Sequence, residues 1–378
     1  MGIIIAALAE PVSIAEPERL ARLALSLTEG VGAVSGRRLI EAFGSAEKVF
    51  VADPRQVEER GRLKSGSAAG LGKSLLAAEA ELDRLKACGG WLLVWGEEAY
   101  PRPLAHIHAP PLALFGLGGL SAADERTVAV VGSRQATEYG RKTTQRLAGE
   151  LASLGITVVS GLAVGIDTAA HVGALEASGR TIAVLGSGLD VDYPRENTRL
   201  KERIIASGAV LTEYPLGTQP APWRFPVRNR IIAGLAGGVV VAEASLRSGS
   251  LITASHALEG GRTVMAVPGP VTDRRREGTH ELIRQGAVLV ASGRQAAGEI
   301  WPELGFHPSG APMETEPDLS GLDKPSRLVY SLLEAAPRHV DEIIRAAGLS
   351  PEEVQGRLFD LELRGLAQRL PGQMFARS

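Results

Sequence analysis

From residue 126 to about 300, short and mostly apolar runs alternate with longer amphipathic segments. Thr127–Val131, Thr157–Ser160, Thr181–Leu185, Val210–Thr212, Gly238–Ala242 and Thr263–Val267 read as strands, with Ala287–Val290 as a last one. The segments between them predict helices over Tyr139–Leu154, Asp167–Glu176, Arg199–Ser207, Arg228–Ala236 and Ser250–Leu258. A strand without a polar face must be covered on both sides. The alternation therefore predicts an α/β domain, a Rossmann-like doubly wound parallel sheet. Such sheets bind ligands beyond the carboxyl ends of their strands.

The flanks follow a different period. Residues 1–90 predict a helical N-terminal domain, with helices over Pro17–Leu27, Ser35–Phe43, Glu47–Val51 and Ala68–Lys86. Glu29-Gly30-Val31-Gly32 separates the first two, in the manner of a helix-hairpin-helix (SAM-like) unit or of a plain helical hairpin. The Rossmann-like domain is assigned to 91–300, and a Pro-, Gly- and Ser-rich linker to 301–323. Residues 324–378 predict helices over Arg327–Ala335, Val340–Ala347 and Pro351–Arg364, then a hairpin around Pro371-Gly372, a winged helix. Ser350, Pro351 and Glu353 form the start signal of its third helix. Glu352, Glu353, Asp360 and Glu362 make that helix acidic, which favours a protein contact over a DNA groove.

Composition narrows the classes. At 44% hydrophobic and 22% charged residues the chain is expected to be globular. The single Cys88 leaves no internal disulfide and no cysteine-based zinc site, which fits a reducing, cytoplasmic setting. The apolar start, Met1–Glu10, has no preceding cation, is too short to span a bilayer and lacks the Ser or Thr of a myristoylation signal. Net charge is −2, but residues 126–300 hold 20 Lys+Arg against 15 Asp+Glu, and 18 of those cations are Arg. Arginine pairs with phosphate through a planar fork and stacks on bases, although a bias toward Arg codons would give the same count.

The candidate chemistry lies where predicted strands end. Val131-Gly132-Ser133-Arg134-Gln135-Ala136-Thr137 joins the first strand to a helix, with Tyr139-Gly140 behind it. Gly132 would let the backbone approach a ligand, while Ser133, Thr137, free N–H groups and Arg134 favour an anion. An ordinary strand–helix turn remains the alternative. Ser160-Gly161-Leu162-Ala163-Val164-Gly165 follows the second strand, and Asp167 and His171 lie four apart on the next helix. No third ligand lies near that pair, so it is read as a hydrogen-bonded structural pair rather than a catalytic or metal site. Tyr193-Pro194-Arg195 follows the third strand. Trp223-Arg224-Phe225-Pro226-Val227-Arg228-Asn229-Arg230 interleaves aromatics with arginines inside an acid-free window from Glu213 to Glu243, as unpaired bases and phosphates require. Arg247-Ser248-Gly249-Ser250 and Val267-Pro268-Gly269-Pro270 complete the rim. Gly66–Ser74 imitates a phosphate-binding P-loop but has the wrong spacing and no preceding strand. No catalytic constellation, metal cluster or cofactor motif is found, which suits binding rather than chemistry.

In this order, GSRQATEYG, SGLAVGIDTAAH, a Gly-Leu-Asp-x-x-Tyr-Pro segment, FPVRNRIIAGL, EASLRSGSLITA and VPGP resemble the DNA-processing protein A (DprA/Smf) family over about residues 126–290. The resemblance implies a dimer that binds single-stranded DNA during natural transformation. It also implies handover of that strand to the recombinase RecA and displacement of single-strand-binding protein. It places Gly132, Ser133 and Arg134 on phosphate, with Ser160 and Gly161 shaping the same pocket. Phe225 would stack on a base, Arg228, Asn229 and Arg230 would hold backbone or base edges, and Arg195 would add a cation. Thr137, Ser248 and Gly249 complete the expected nucleic-acid-binding set. Two alternatives stay open. One is a nucleotide-binding or nucleotide-hydrolysing enzyme of a related fold, using Glu243 or Glu259. The other is duplex-DNA regulation through the winged helix.

Overall fold

A computed structural model describes residues 14–304, 319, 322–334 and 336–377. The features read in Met1–Glu10 lie outside these residues, as does most of the linker assigned to 301–323. The described residues fall into two compact units, divided at 307/308.

The first unit opens with helices α1 (Glu16–Leu27), α2 (Ala33–Phe43), α3 (Ala46–Val51), α4 (Pro54–Gly61) and α5 (Leu71–Ala87). Strand β1 (Trp91–Val94), a short helix α6 (Arg102–Ala105) and β2 (Ala113–Gly118) follow. The alternating part then runs β3 (Thr127–Gly132), α7 (Glu138–Ser153), β4 (Thr157–Ser160), α8 (Ile166–Glu176), β5 (Thr181–Val184), α9 (Thr198–Ser207) and β6 (Ala209–Thr212). It continues with α10 (Arg224–Leu235), β7 (Gly238–Glu243), α11 (Ser250–Glu259), β8 (Thr263–Ala266), α12 (Glu277–Arg284), β9 (Val288–Leu289) and α13 (Gly293–Ile300).

The nine strands form one sheet in the order β1-β2-β6-β5-β4-β3-β7-β8-β9. Strands from β6 to β9 are mutually parallel. The sheet is mixed rather than wholly parallel, because β1 and β2 add an antiparallel edge beside β6. Alternation along β3 explains why these strands read as unbroken apolar runs. Ala129 and Val131 enter one core with Ile231, Ile232 and Ala254, while Val128 and Val130 enter another with Leu147, Leu151 and Ala170. A third core lies under the antiparallel edge, where Leu23 of α1 and Ala78 and Leu85 of α5 pack on Leu92, Phe115 and Val210. The remaining N-terminal helices close a fourth around Leu25, Leu39, Val49 and Val57.

The P-loop-like segment is helical from Ser67, and Gly72, Lys73 and Ser74 lie within α5. Ser74 donates to the Leu71 carbonyl at 2.7 Å and pairs with Thr28 at 2.9 Å, so its hydroxyl serves the helix packing.

The second unit comprises α14 (Lys324–Leu332), β10 (Arg338–His339), α15 (Val340–Ala347), α16 (Pro351–Leu363), β11 (Ala367–Leu370) and β12 (Met374–Arg377). Its three strands pair in the order β10-β12-β11, and Val329, Ile343, Val354, Leu358 and Phe375 fill its own core. Ser350 caps α16 through the Glu353 N–H, and Glu353 returns a bond to the Ser350 N–H at 2.9 Å. Among the described residues, no helix is long and apolar enough to cross a membrane.

Candidate nucleic-acid interface

Strands β3 and β7 are neighbours, but their connections run to opposite sides of the sheet, β3 to β4 and β7 to β8. The chain thus parts at the carboxyl ends of β3 and β7, the topological switch point where doubly wound sheets bind ligands. A cavity of about 570 Å³ opens there. Ser133 and Arg134 line it from the loop after β3, Asp167 from α8, Phe225 and Arg228 from α10, and Ser248 from the loop after β7. A smaller adjoining hollow shares Tyr193 and adds Gly161, Gly186 and Pro194.

The loops are pressed together by backbone contacts that only glycine permits. A Cβ on Gly132 would stand 2.7 Å from the Glu243 carbonyl and from Ile166. The close approach at Gly132 is to protein on this side, and Gly132 also lines the cavity. Gly165 has φ +91°, and a Cβ there would lie 2.4 Å from the Ser133 carbonyl, which also accepts the Ile166 N–H at 3.1 Å.

Above this floor lies an aromatic and cationic shelf. The Arg134 guanidinium carbon sits 4.7 Å from the centroid of Phe225. Phe225 also packs on Tyr193, ring to ring at 5.6 Å. Arg134 is exposed and Phe225 half-buried. Trp223, 61% exposed, stands one residue before α10 with Arg224 stacked on it at 4.6 Å.

Beneath the shelf Arg228 is buried. Its guanidinium donates to the carbonyls of Gly161 (2.8 Å) and Val184, joining the ends of β4 and β5, and its Nε donates to Asn229 Oδ1 at 3.2 Å. Gly161 is required by this arrangement, since a Cβ there would meet the Arg228 guanidinium at 2.5 Å. Burial lowers the Arg228 pKa to about 10, partly offset by Asp167. Burial likewise raises Asp167, opposed chiefly by Arg228. Asn229 donates to the Gly249 carbonyl at 3.1 Å and so ties α10 to the loop after β7.

Several expected contacts are engaged within the protein. Thr137 caps α7 and donates its hydroxyl to Glu243 at 2.5 Å. Ser160 is buried and donates to the Val130 carbonyl at 2.7 Å. Arg230 pairs with Glu213 at 2.5 Å and does not line the cavity. Arg195 is exposed but lies outside both linings. Ser248 lines the cavity and shares a hydrogen bond with Ser250 at 2.8 Å, with Gly249 between them.

Asp167 and His171 do not bond to each other, contrary to the expected pair. Asp167 accepts from the Ala163 N–H at 3.3 Å, whereas the His171 Nδ1 pairs with Thr181 at 2.7 Å in full burial. Burial pushes the His171 pKa down to about 3. The carboxylates of the enzyme alternative are also accounted for. Glu243 is wholly buried, takes the Thr137 N–H and hydroxyl, and pairs with Arg276 at 3.1 Å. Glu259 ends α11, away from the cavity, and pairs with His256 at 3.3 Å. Among the described residues no group of three His, Cys, Asp or Glu could hold a metal ion.

Residues 91–300 match the family described as DNA recombination-mediator protein A. The chain belongs to that family. Residues 313–373 match the DprA winged helix domain. The protein Smf of Synechocystis sp. is 33% identical, the match covering 96% of this chain and 100% of the relative. Among solved structures, DNA processing protein A from Streptococcus pneumoniae aligns with a TM-score of 0.66 at 37% identity, covering 76% of this chain and 99% of that one. DNA processing protein A from Helicobacter pylori, whose structure was described for its single-stranded DNA binding mode, aligns at a TM-score of 0.51 and 28% identity over 57% of this chain and 96% of its own. A recombination-mediator protein A fold thus carries a mixed, mostly parallel Rossmann-like sheet with a winged-helix unit, and its switch point holds the Arg134–Phe225 shelf.

Proposed function

We propose that this chain binds single-stranded DNA at the switch point of its sheet and acts there as a recombination mediator rather than as an enzyme. One observation carries the reading: an exposed cation and an aromatic face, Arg134 and Phe225, meet over a cavity at the carboxyl ends of β3 and β7. An unpaired base offers a π-face and its phosphate a charge, and the shelf complements both. Ser133, Ser248 and Gly249 are the proposed donors beside it, with Gly132 and Gly161 giving the loops their shape. Arg195 would meet the strand outside the cavity. Thr137, Ser160, Arg228, Asn229 and Arg230 would act by holding these elements in place. The single-stranded DNA binding of the Helicobacter pylori relative supports the reading.

The fuller role runs with it: a cytoplasmic homodimer that protects incoming single strands during natural transformation and loads RecA on them in place of single-strand-binding protein. The test is RecA-dependent ATP hydrolysis on single strands pre-coated with single-strand-binding protein. Added parent protein is expected to shorten the lag, and Arg134→Ala to leave it long. Equal lags with and without the protein would refute the loading role.

A further inference from the structure

The sequence motif around Arg134 ends in a residue that the cavity does not use. Tyr139, in the first turn of α7, is 52% exposed, yet its ring is fixed, with the Arg276 guanidinium carbon 4.8 Å from its centroid. Arg276 is itself fully buried. It donates to the carbonyls of Ala242 (3.2 Å) and Pro268 (3.3 Å) and pairs with Glu243 at 3.1 Å. One face of the ring therefore rests on an immobile cation, and the residue still offers half its surface to solvent. An exposed tyrosine held in this way has little orientational freedom left to surrender to a ligand that stacks on it.

Tyr139 also continues the rim. Glu243 joins it to the cavity, since the carboxylate that holds Arg276 also accepts Thr137, and the Glu243 carbonyl accepts Ser133. Down the same face of α7, at i+3 and i+7 from Tyr139, stand the exposed Lys142 and Arg146. Arg146 donates to the Ala291 carbonyl at 3.2 Å, which places this face beside the carboxyl end of β9. The exposed Arg274 and Arg275 precede Arg276. The nearby acids are largely engaged: Glu138 with Arg141 at 3.1 Å, Asp273 with Arg275 at 2.8 Å, and Glu150 with the Gly293 N–H at 2.7 Å, leaving Glu277 as an exposed acid on this side.

We propose that Tyr139 is a second base-stacking platform, and that a strand leaving the Phe225 shelf crosses the end of β3 and runs over Tyr139 toward Lys142 and Arg146. The alternation of aromatic face and cation fits an unpaired polynucleotide, whose bases and phosphates alternate in the same way. The proposal extends the reading of the cavity as a strand-binding site and rests on it.

The experiment measures binding of end-labelled oligo(dT) of increasing length to the full chain by fluorescence anisotropy. For Tyr139→Ala we expect short oligonucleotides to bind as to the parent and long ones at least about fivefold more weakly, the smallest effect of removing one stacked base. Tyr139→Phe should retain long-strand affinity. The double charge reversal Lys142→Glu/Arg146→Glu, on exposed positions outside the core, should also weaken only the long strands. Arg134→Ala should weaken all lengths. If Arg134→Ala behaves so while both the Tyr139→Ala and the double variant bind long strands like the parent, the second platform is refuted and the cavity stands. If the parent binds no single strand, both readings fall. A weakening in Tyr139→Phe equal to that in Tyr139→Ala would also overturn it, because a hydroxyl interaction, not stacking, would then be at work.

Discussion

The Arg134 guanidinium lies over the Phe225 ring at 4.7 Å, although the two are 91 positions apart in the chain. The contact links the loop after β3 to the start of α10 and puts a cation and a π-face on one side of the cavity. The two residues should contribute to strand binding in distinguishable ways. Removing a cation from a phosphate changes the salt dependence, whereas removing a stacking surface does not. Arg134→Ala is expected to reduce the slope of log K against log salt by about 0.7 for each phosphate that Arg134 neutralises. Phe225→Ala is expected to cost about 1–3 kcal/mol at every salt concentration. A salt titration with oligo(dT) checks both. Parent-like binding by the two variants would refute the assignment of the shelf.

Arg228 belongs to the same motif but should behave differently. Its guanidinium is buried and bonded to the carbonyls of Gly161 and Val184. Arg228→Ala would leave those acceptors unpaired and Asp167 without its main counter-charge. A drop of about 3–5 kcal/mol in folding stability is expected, against less than about 0.5 for the exposed Arg134→Ala. Urea unfolding of both variants measures the difference. Equal stabilities, with strand binding abolished only in the Arg228 variant, would instead make Arg228 a direct DNA ligand.

His171 predicts an acid-sensitive fold. Its ring is neutral in the native protein down to about pH 3, whereas in the unfolded chain it protonates near the ordinary histidine value of 6.5. Between those values the unfolded state binds the extra proton, so stability falls as pH falls. At pH 4.5 this amounts to about 3 kcal/mol. Asp167 works in the opposite direction, because its raised pKa lets the native state take up a proton first. His171→Gln, which keeps a polar partner for Thr181, should flatten the decline in stability between pH 6.5 and 4.5. Denaturant titrations at the two pH values test this, and an unchanged pH dependence would rule out His171 as the cause.

Much of the fold is legible because parallel strands at a sheet centre are apolar on both faces, a pattern that survives without knowledge of neighbours. The edge is harder to read. Leu92, Val94, Ala113 and Phe115 are buried in a core shared with α1 and α5, and β2 pairs with the distant β6, Phe115 opposite Thr212, so no local pattern announces β1 or β2. Helix α4 has no apolar period to reveal it because only Val57 of its apolar residues is buried, although Asp53 followed by Pro54 is a legible start, and the Asp53 carboxylate does accept the Arg55 and Gln56 N–H groups. Within the site, the motifs mark the rim but not the division of labour along it. Arg228 and Arg230 look alike in sequence. One turns under the shelf toward Gly161, and the other turns away to Glu213, a residue at the edge of the acid-free window. Tyr193 packs on Phe225 through a contact no local pattern encodes.

The winged-helix unit provides the last test, because its third helix departs from what groove binding needs. Glu352, Glu353, Asp360 and Glu362 line α16, and Arg357 is drawn to Asp323 at 2.7 Å while Arg364 pairs with Asp360 at 3.0 Å. A helix with this balance is repelled by the phosphates that flank a major groove. Phe359 and Leu363, 62% and 71% exposed and one turn apart, give it an apolar strip instead. The unit has its own core, so removing 322–378 takes away no residue from the four cores of the first unit. The truncated chain is expected to hold oligo(dT) within about twofold of the parent and with the same salt slope, since every proposed phosphate ligand lies between Gly132 and Gly249. The full chain should show no gain for duplex over the truncated one. Anisotropy titrations with single- and double-stranded oligonucleotides on both chains decide the matter. Duplex affinity present only in the full chain would restore the winged helix as a DNA reader.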